Sequence, residues 1–184
     1  MTEKSTTSFD LNALVEELKS ASRSAAPKPE VKAIMERVFH DPDTIRQHIP
    51  EFEEDEINLY EDEAISIWVC QFMPGSPIPP HDHQMPAMIG LYAGVERNRF
   101  FKLEAESKIT ETGYVDLNPG EILNITPTAI HTVECVSEEP SCGIHVYFGP
   151  LQSIDRSLFD QRAGTCLKFT EDTFNRLMVE QHRC

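Results

Sequence analysis

Two histidines, His81 and His83, are separated by one residue in the stretch "PPHDHQM". In an extended strand, residues i and i+2 point to the same face, so the two imidazoles are expected to lie side by side. Neutral imidazoles are common ligands of transition metals, and the pair therefore predicts part of a metal site. The pair alone does not separate a metal site from two ordinary histidines, and further ligands have to come from elsewhere in the chain.

The elements around this pair predict a β-rich fold. From residue 64 to residue 148, short runs rich in Ile, Val, Phe and Thr are interrupted by Gly or Pro about every ten residues, which is typical of a sandwich or barrel. The predicted strands are "AISIWVCQF", "AMIGLYA", "VERNRFFKL", "SKITET", "EILNIT", "HTVECV" and "GIHVYF". Helical spacing in the first fifty residues predicts two or three short helices, one capped by Asp10. Near the other end, "TEDTFNRLMVE" predicts a helix capped by Thr170.

The length of 184 residues suits a single domain. We predict a helical segment over 1–50, a β-barrel over 58–150, and a tail with a helix over 151–184. No apolar run approaches the ~20 residues of a membrane span, and the N-terminus does not resemble a signal peptide. The N-terminal pattern predicts a cytoplasmic protein, and the five cysteines, which form no CxxC pair, are interpreted as reduced thiols.

The charge balance limits the partners. With 31 acidic and 16 basic residues, the net charge is −15, which argues against a groove for nucleic acid and against binding to membrane surfaces. The densest acidic run, "EFEEDEINLYEDEA" at 51–64, is interpreted as solvated surface. A small-molecule ligand, on a monomer or a homodimer, is the remaining expectation.

Two longer patterns surround the histidine pair. Gly75, His81, His83 and Gly94 fit the spacing of the first signature of the cupin superfamily, and "PGEILNITPTAIH" at 119–131 resembles the second. The resemblance implies an all-β double-stranded β-helix (jelly-roll) barrel with His131 as a further metal ligand.

One position departs from the cupin pattern. Where cupins usually supply a ligating glutamate, this chain has Ala87, which cannot coordinate a metal. The resemblance then implies three neutral histidines with no carboxylate, leaving three open positions on an octahedral ion. The strand pleat further predicts that Ala87, Ile89 and Leu91 line the cavity, while Met88 and Gly90 face outward.

The segment "GIHVYFGP" at 143–150 adds a second motif, with His145 and Tyr147 on one face of a strand. Together with the three histidines and Ala87, it resembles the cysteine dioxygenase family of thiol dioxygenases over about residues 58–150. The resemblance implies Fe(II), a small thiol, dioxygen and a sulfinate product, with Tyr147 donating a hydrogen bond in the site. The alternatives are a core histidine and ordinary barrel packing of the tyrosine.

Two departures concern that family. A serine that precedes the family's histidine by two residues is Gly143 here, and the cysteine that cross-links to the tyrosine in animal enzymes is missing near Ala87. In the second respect the chain looks more like bacterial members that act on mercaptopropionate or related thiols.

Several arginines are candidates for binding a substrate carboxylate. Family members carry an arginine soon after a tyrosine ahead of the barrel, but Tyr60 is followed by three acids. We predict that Arg97 and Arg99 reach the lumen as an anion clamp, the alternative being exposed ion pairs. Arg156 and Arg162 in the tail are further candidates.

The sequence therefore favours an Fe(II)-dependent dioxygenase that oxidises a small thiol to its sulfinate. The alternatives are a three-histidine cupin that cleaves a β-diketone, and a non-catalytic cupin that binds a ligand through a metal. The remaining histidines, His40, His48 and His182, are interpreted as surface residues, and Trp68 as a core residue.

Overall fold

Three helices precede the strands in the computed structural model, which describes residues 9–104 and 107–181. They are α1 (Leu11–Ser22), α2 (Pro27–Phe39) and α3 (Pro42–His48). The Asp10 carboxylate accepts a hydrogen bond from the Ala13 amide at 3.0 Å, which confirms the predicted cap. His182 and Cys184 lie outside the described residues.

The described residues form ten strands and a fourth helix. They are β1 (Glu56–Glu61), β2 (Ser66–Phe72), β3 (Ala87–Ala93), β4 (Glu96–Leu103), β5 (Ile109–Leu117), β6 (Ile122–Ile125), β7 (Ile130–Cys135), β8 (Ser141–Tyr147), β9 (Ser157–Asp160), β10 (Thr165–Lys168) and α4 (Glu171–Gln181). The Thr170 hydroxyl accepts from the Thr173 amide at 3.2 Å, so the predicted cap of α4 is also confirmed.

Two antiparallel sheets build the barrel. The larger has the order β1–β2–β8–β3–β6, and the smaller has the order β5–β4–β7. Their inner sides meet in buried clusters, for example where Cys70 and Phe72 of β2 pack with Val133 of β7. The predicted all-β class and cupin-type double-stranded β-helix barrel with flanking helices are therefore confirmed.

The first three helices cover the outer side of the larger sheet. Met35 and Phe39 of α2 share a buried cluster with Met88 of β3 and Ile144 of β8. A Cβ at Gly90 would lie 2.5 Å from the Phe39 ring, so only glycine allows this close approach. With both faces covered, every residue of β3 is buried, which explains its continuous apolar run. No described helix is long and apolar enough to cross a membrane.

Two parts of the chain differ from the prediction. The acidic run 51–64 contains a strand that was not predicted, β1, which pairs antiparallel with β2, although its residues stay exposed or half-buried as the surface interpretation expects. The tail carries a hairpin, because β9 pairs with β10 before α4 begins. In β1, Ile57 and Leu59 alternate with polar residues but lie within an acid-rich run, and β9 and β10 have only four residues each, so the strand signal in these segments is short.

Candidate metal centre

The three predicted metal ligands meet at one end of the barrel. The segment before β3 pairs with the start of β7, so the His81 amide donates to the His131 carbonyl and the reverse bond also forms, both at 2.9 Å. The Nε2 atom of His83 lies 3.1 Å from that of His81 and 3.4 Å from that of His131. All three side chains are buried.

The hydrogen bonds of two rings fix their tautomers. Nδ1 of His81 lies 2.9 Å from the carbonyl oxygen of Pro79, which only accepts. Nδ1 of His131 lies 2.8 Å from Oδ1 of Asn98. Both Nδ1 atoms therefore carry the proton, and the two Nε2 lone pairs point into the space shared with His83. One N–H of His83 cannot satisfy both lone pairs, whereas a cation at their centre would.

Burial keeps these imidazoles neutral. It lowers the pKa of His81 to about 4, and it lowers the pKa of His83 and of His131 well below the usual value, with the neighbouring rings adding to the effect. Neutral imidazole is the form that binds a metal. The cluster is thus ready for a cation at neutral pH without first losing protons.

The spacing of the three nitrogens fits a transition metal. At a metal–nitrogen distance of ~2.1 Å, two ligands lie ~3.0 Å apart at a right angle and ~3.4 Å apart at a tetrahedral angle. The two short Nε2 separations fall at these values. Within 9–104 and 107–181, no carboxylate joins the group. The site therefore offers three neutral ligands and leaves the remaining positions open, as the replacement of glutamate by Ala87 predicted.

Behind His131 lies a short chain of buried polar groups on β4. Asn98 Nδ2 donates to Oε1 of Glu96 at 2.8 Å, which turns the amide oxygen towards His131. Glu96 and Asn98 are both 0% exposed, and Oε2 of Glu96 has no hydrogen-bond partner among the described residues. Burial raises the pKa of Glu96 to about 7, although the bond from Asn98 opposes the shift. Such partners orient a ligating histidine and increase its basicity.

His145 and Tyr147 lie beside the histidine cluster. The ring centroids of Tyr147 and His83 are 4.9 Å apart in an edge-to-face arrangement, and Nδ1 of His145 lies 3.2 Å from the Tyr147 hydroxyl. Burial raises the pKa of Tyr147 well above its usual value, so the phenol stays protonated and can donate. Burial also lowers the pKa of His145 to about 3, so this ring is neutral.

Gly143 explains one of the two departures from the thiol dioxygenase pattern. A Cβ at this position would lie 2.9 Å from the Gly90 carbonyl oxygen on β3, so the close strand approach disfavours any side chain. The same Cβ would lie 3.4 Å from Nε2 of His145, an atom that has no partner among the described residues. The missing serine hydroxyl therefore leaves that nitrogen unpaired.

A cavity of about 700 Å³ opens beside the histidines. Its polar lining comprises Glu56, His81, His83, His131, His145, Tyr147, Gln152, Arg156, Thr170 and Glu171. Trp68, predicted in the core, is only half-buried and also lines this cavity. Ala87, Ile89 and Leu91 point inward as predicted, but they pack with Tyr147 in one buried cluster and are not part of the lining.

The predicted arginine clamp is corrected by the structure. Arg97 makes two bonds to the Asp116 carboxylate, at 2.6 and 2.7 Å, and Arg99 lies 3.4 Å from Glu134 and from Glu111. Glu96 and Asn98, which alternate with these arginines, occupy the lumen side of β4. Arg97 and Arg99 therefore face outward in ion pairs and line no part of the cavity.

Of the two tail candidates, Arg156 belongs to the cavity and Arg162 does not line it. The tail is held over the barrel mouth by Asp82, whose carboxylate accepts from the Ser157 amide at 2.9 Å. Arg156 stacks on the Phe169 ring, with its guanidinium carbon 3.6 Å from the ring centroid. Its positive charge contributes to the lowered pKa of both His81 and His83.

Sequence reasoning missed Glu56, Asn98 and Glu96 as site residues. Glu56 fell within a run interpreted as surface, although cross-strand pairing brings it to the cavity. Glu96 and Asn98 alternate with Arg97 and Arg99, which were predicted to face the lumen. The alternation shows that only one of these two pairs can face the lumen, but it does not show which one.

No family model matches the chain. Solved structures with a similar fold include an oxalate decarboxylase from Lactobacillus farciminis, with 17% identity and a TM-score of 0.44 over 58% of this chain and 32% of that one. A double-stranded β-helix protein of uncharacterised function from Klebsiella pneumoniae has 17% identity and a TM-score of 0.44 over 62% and 88% of the two chains. A DMSP lyase from Ruegeria pomeroyi has 16% identity and a TM-score of 0.41 over 50% and 42%.

The chain spans less than half the length of the decarboxylase and of the lyase. Identities and TM-scores this low support no transfer of metal, substrate or activity from these proteins.

Proposed function

We propose that this protein is an Fe(II)-dependent dioxygenase that oxidises a small thiol to its sulfinate. The observation that carries the proposal is the convergence of three neutral histidine nitrogens, without a carboxylate, on a cavity that also holds Tyr147 and Arg156. Three neutral ligands leave positions for a substrate thiolate and for dioxygen.

A ferrous ion held by His81, His83 and His131 would supply a lowered thiol pKa and a place for dioxygen to react with sulfur. The balance of the reaction is simple. Both atoms of dioxygen end on the sulfur, the thiol proton is released, and no external reductant is needed.

Tyr147 is the donor placed to act on the reacting atoms. Its protonated hydroxyl lies at the cavity wall beside His83. The phenol oxygen lies 3.2 Å from Nδ1 of His145, within hydrogen-bond distance. If Nδ1–H of His145 donates to the phenol oxygen, the phenol proton is free to point into the cavity. A donor fixed before the reaction stabilises charge that develops on oxygen or sulfur.

Arg156 supports a substrate that carries an anionic group. Among residues 9–104 and 107–181 it is the arginine that lines the cavity, and the hydrogen bonds between Asp82 and Ser157 fix the tail beside it. A guanidinium fork matches a carboxylate in two parallel bonds. The anion clamp assigned to Arg97 and Arg99 therefore moves to the tail.

The test is oxygen uptake and product analysis on protein reconstituted with Fe(II) under anaerobic conditions. We expect sulfinate from at least one of mercaptopropionate, cysteine and cysteamine, with one dioxygen consumed per thiol. Consumption of acetylacetone without thiol turnover would favour the diketone enzyme instead. Metal and thiol binding without oxygen uptake would favour the non-catalytic module.

Tyr147→Phe provides the sharper test of mechanism. At equal iron occupancy, we expect turnover to fall by roughly ten- to a thousandfold while thiol affinity changes little, because the hydroxyl acts as charge develops. Tyr114→Phe, on an exposed ring of β5, is the matched control. Equal rates for Tyr147→Phe and the wild type would remove Tyr147 from the mechanism.

A further inference from the structure

Besides Arg156, two carboxylates line the cavity, Glu56 on β1 and Glu171 in the exposed first turn of α4, and the thiol dioxygenase proposal uses neither. Glu56 is the one that the sheet directs inward. In the pairing of β1 with β2, Glu56 lies opposite Cys70. Cross-strand partners project to the same face of a sheet. Because Cys70 is buried inside the barrel with Phe72, the Glu56 side chain also points inward, where it lines the cavity of the histidine cluster.

Glu56 has no partner that would explain its position. Among the described residues, its carboxylate makes no hydrogen bond and no ion pair within 4.0 Å. Glu56 is an exposed residue at the start of β1, so its carboxylate is accessible from the cavity, and partial burial by the surrounding protein raises its pKa, with Arg156 opposing the shift. A cationic group of a ligand in the cavity can therefore reach this carboxylate and pair with it.

Arg156 places a positive charge on the wall of the same cavity. It stacks on Phe169, and it too makes no ion pair within 4.0 Å among the described residues. Arg156 and Glu56 thus border one space with opposite charges that do not neutralise each other by direct contact. A ligand that carries both an anion and a cation fits this space better than a ligand with an anion alone.

We propose that Glu56 binds a substrate ammonium group, so that the substrate is a zwitterionic aminothiol and not a simple mercapto acid. This inference rests on the proposed thiol dioxygenase function. The thiol is directed to His81, His83 and His131, the carboxylate to Arg156, and the ammonium to Glu56. A mercapto acid would gain the first two contacts but would leave the Glu56 carboxylate unpaired.

Three thiols separate the two charged contacts. Cysteine carries both groups, 3-mercaptopropionate lacks the ammonium, and cysteamine lacks the carboxylate. The experiment measures kcat/KM for each thiol, and anaerobic binding of each thiol to the iron-loaded protein by calorimetry. The variants are Glu56→Gln and Arg156→Gln, with the exposed Glu53→Gln as the control for loss of one negative charge.

We expect Glu56→Gln to lower the affinity and kcat/KM for cysteine and cysteamine by about ten- to a hundredfold, the range for a lost charge-assisted hydrogen bond. The values for mercaptopropionate should be unchanged or higher. Arg156→Gln should lower the values for cysteine and mercaptopropionate and leave those for cysteamine unchanged. Glu56→Asp, which retains the charge, should recover part of the preference for cysteine over mercaptopropionate. Glu53→Gln should alter none of the three.

The inference is overturned if Glu56→Gln affects all three thiols equally or none of them. If Glu56→Gln does not fold, the ratio of cysteine to mercaptopropionate affinity in Glu56→Asp decides, and a ratio equal to that of the wild type overturns it. Binding in the expected pattern without sulfinate formation would overturn the dioxygenase proposal and retain the aminothiol site. Turnover of mercaptopropionate alone would retain the dioxygenase proposal and overturn the aminothiol site.

Discussion

The two faces of strand β4 carry polar residues in alternation, yet they differ in almost every physical respect. On the lumen face, Glu96 and Asn98 are fully buried and linked by one hydrogen bond that continues to His131. On the outer face, Arg97 and Arg99 are paired with surface carboxylates of neighbouring strands. Burying polar groups costs free energy unless they are hydrogen-bonded, and exposed ion pairs contribute little.

On β4, the buried polar groups are the ones that lie behind the histidine cluster. Glu96 retains one oxygen without a partner among the described residues, a cost that a packing residue would avoid. The hydrogen bonds that run from Glu96 through Asn98 reach His131, a predicted metal ligand. The outer arginines contact only partly exposed surface carboxylates. We therefore expect substitutions along the lumen face to act on metal binding, with effects that decrease with distance from the metal, and substitutions on the outer face to be nearly silent.

The largest effect is expected for His83→Ala at the centre of the cluster. Its Nε2 lies between those of the other two histidines, so its loss leaves two ligands. The protein should remain folded but lose its bound divalent metal, as measured by metal analysis after anaerobic reconstitution and by circular dichroism. Full metal stoichiometry in the variant would place His83 outside the site.

The next effect is expected for Asn98→Ala, one step behind His131. The substitution removes the acceptor that fixes the His131 tautomer, and we expect metal affinity to fall by about ten- to a hundredfold. Competition with a chelator would measure the change, and the exposed Asn124→Ala is the control. Unchanged metal affinity would show that the hydrogen bonds from Glu96 through Asn98 to His131 do not contribute to metal binding.

A smaller and pH-dependent effect is expected for Glu96→Gln in metal-free protein. Because burial raises the pKa of Glu96 from 4.5 to about 7, the folded state holds a proton in this interval that the unfolded state has released. The bound proton therefore stabilises the folded wild type fully below pH ~4.5, and this stabilisation, up to about 3 kcal/mol, is lost as the pH rises to ~7. The Gln variant cannot ionise at this position, so its free energy of unfolding should rise relative to that of the wild type across this pH range.

Urea unfolding of both proteins between pH 4 and pH 8 would measure this difference. Taking the difference removes the opposing contribution of the buried histidines, which both proteins share. Glu53→Gln is the charge-matched control. A difference in unfolding free energy that does not change with pH would contradict an ionising Glu96 in the barrel wall.

The smallest effect is expected for Arg99→Gln on the outer face. Both of its ion pairs are long, at 3.4 Å, and partly exposed, so the unfolding free energy should change by no more than about 0.5 kcal/mol. Metal affinity and the kinetics with thiols should stay at wild-type values. A tenfold loss of thiol affinity would instead restore Arg99 to the lumen and reverse the assignment of the two faces.

The sequence by itself determined the local parts of this protein. Strand β3 has the predicted bounds, and the caps at Asp10 and Thr170 form as predicted, because strand runs and caps depend on neighbouring residues. His81 and His83 converge as their spacing predicted, although they lie in the segment before β3, where His81 forms an isolated bridge and His83 is outside any strand. The spacing to His131 and to His145 came from the resemblance, and the barrel brings these residues together.

Only the tertiary structure decided which face of β4 is inside. Arg97, Arg99 and Phe101 do share a face, but it is the outer one, where Phe101 is buried with Phe159 of the tail strand β9. The usual rule that apolar residues face the interior fails here, because the lumen near a metal site needs polar support for its ligands. That Glu56 of the first strand and Arg156 of the tail line one cavity likewise depends on pairings across the whole chain, which local residue patterns do not encode.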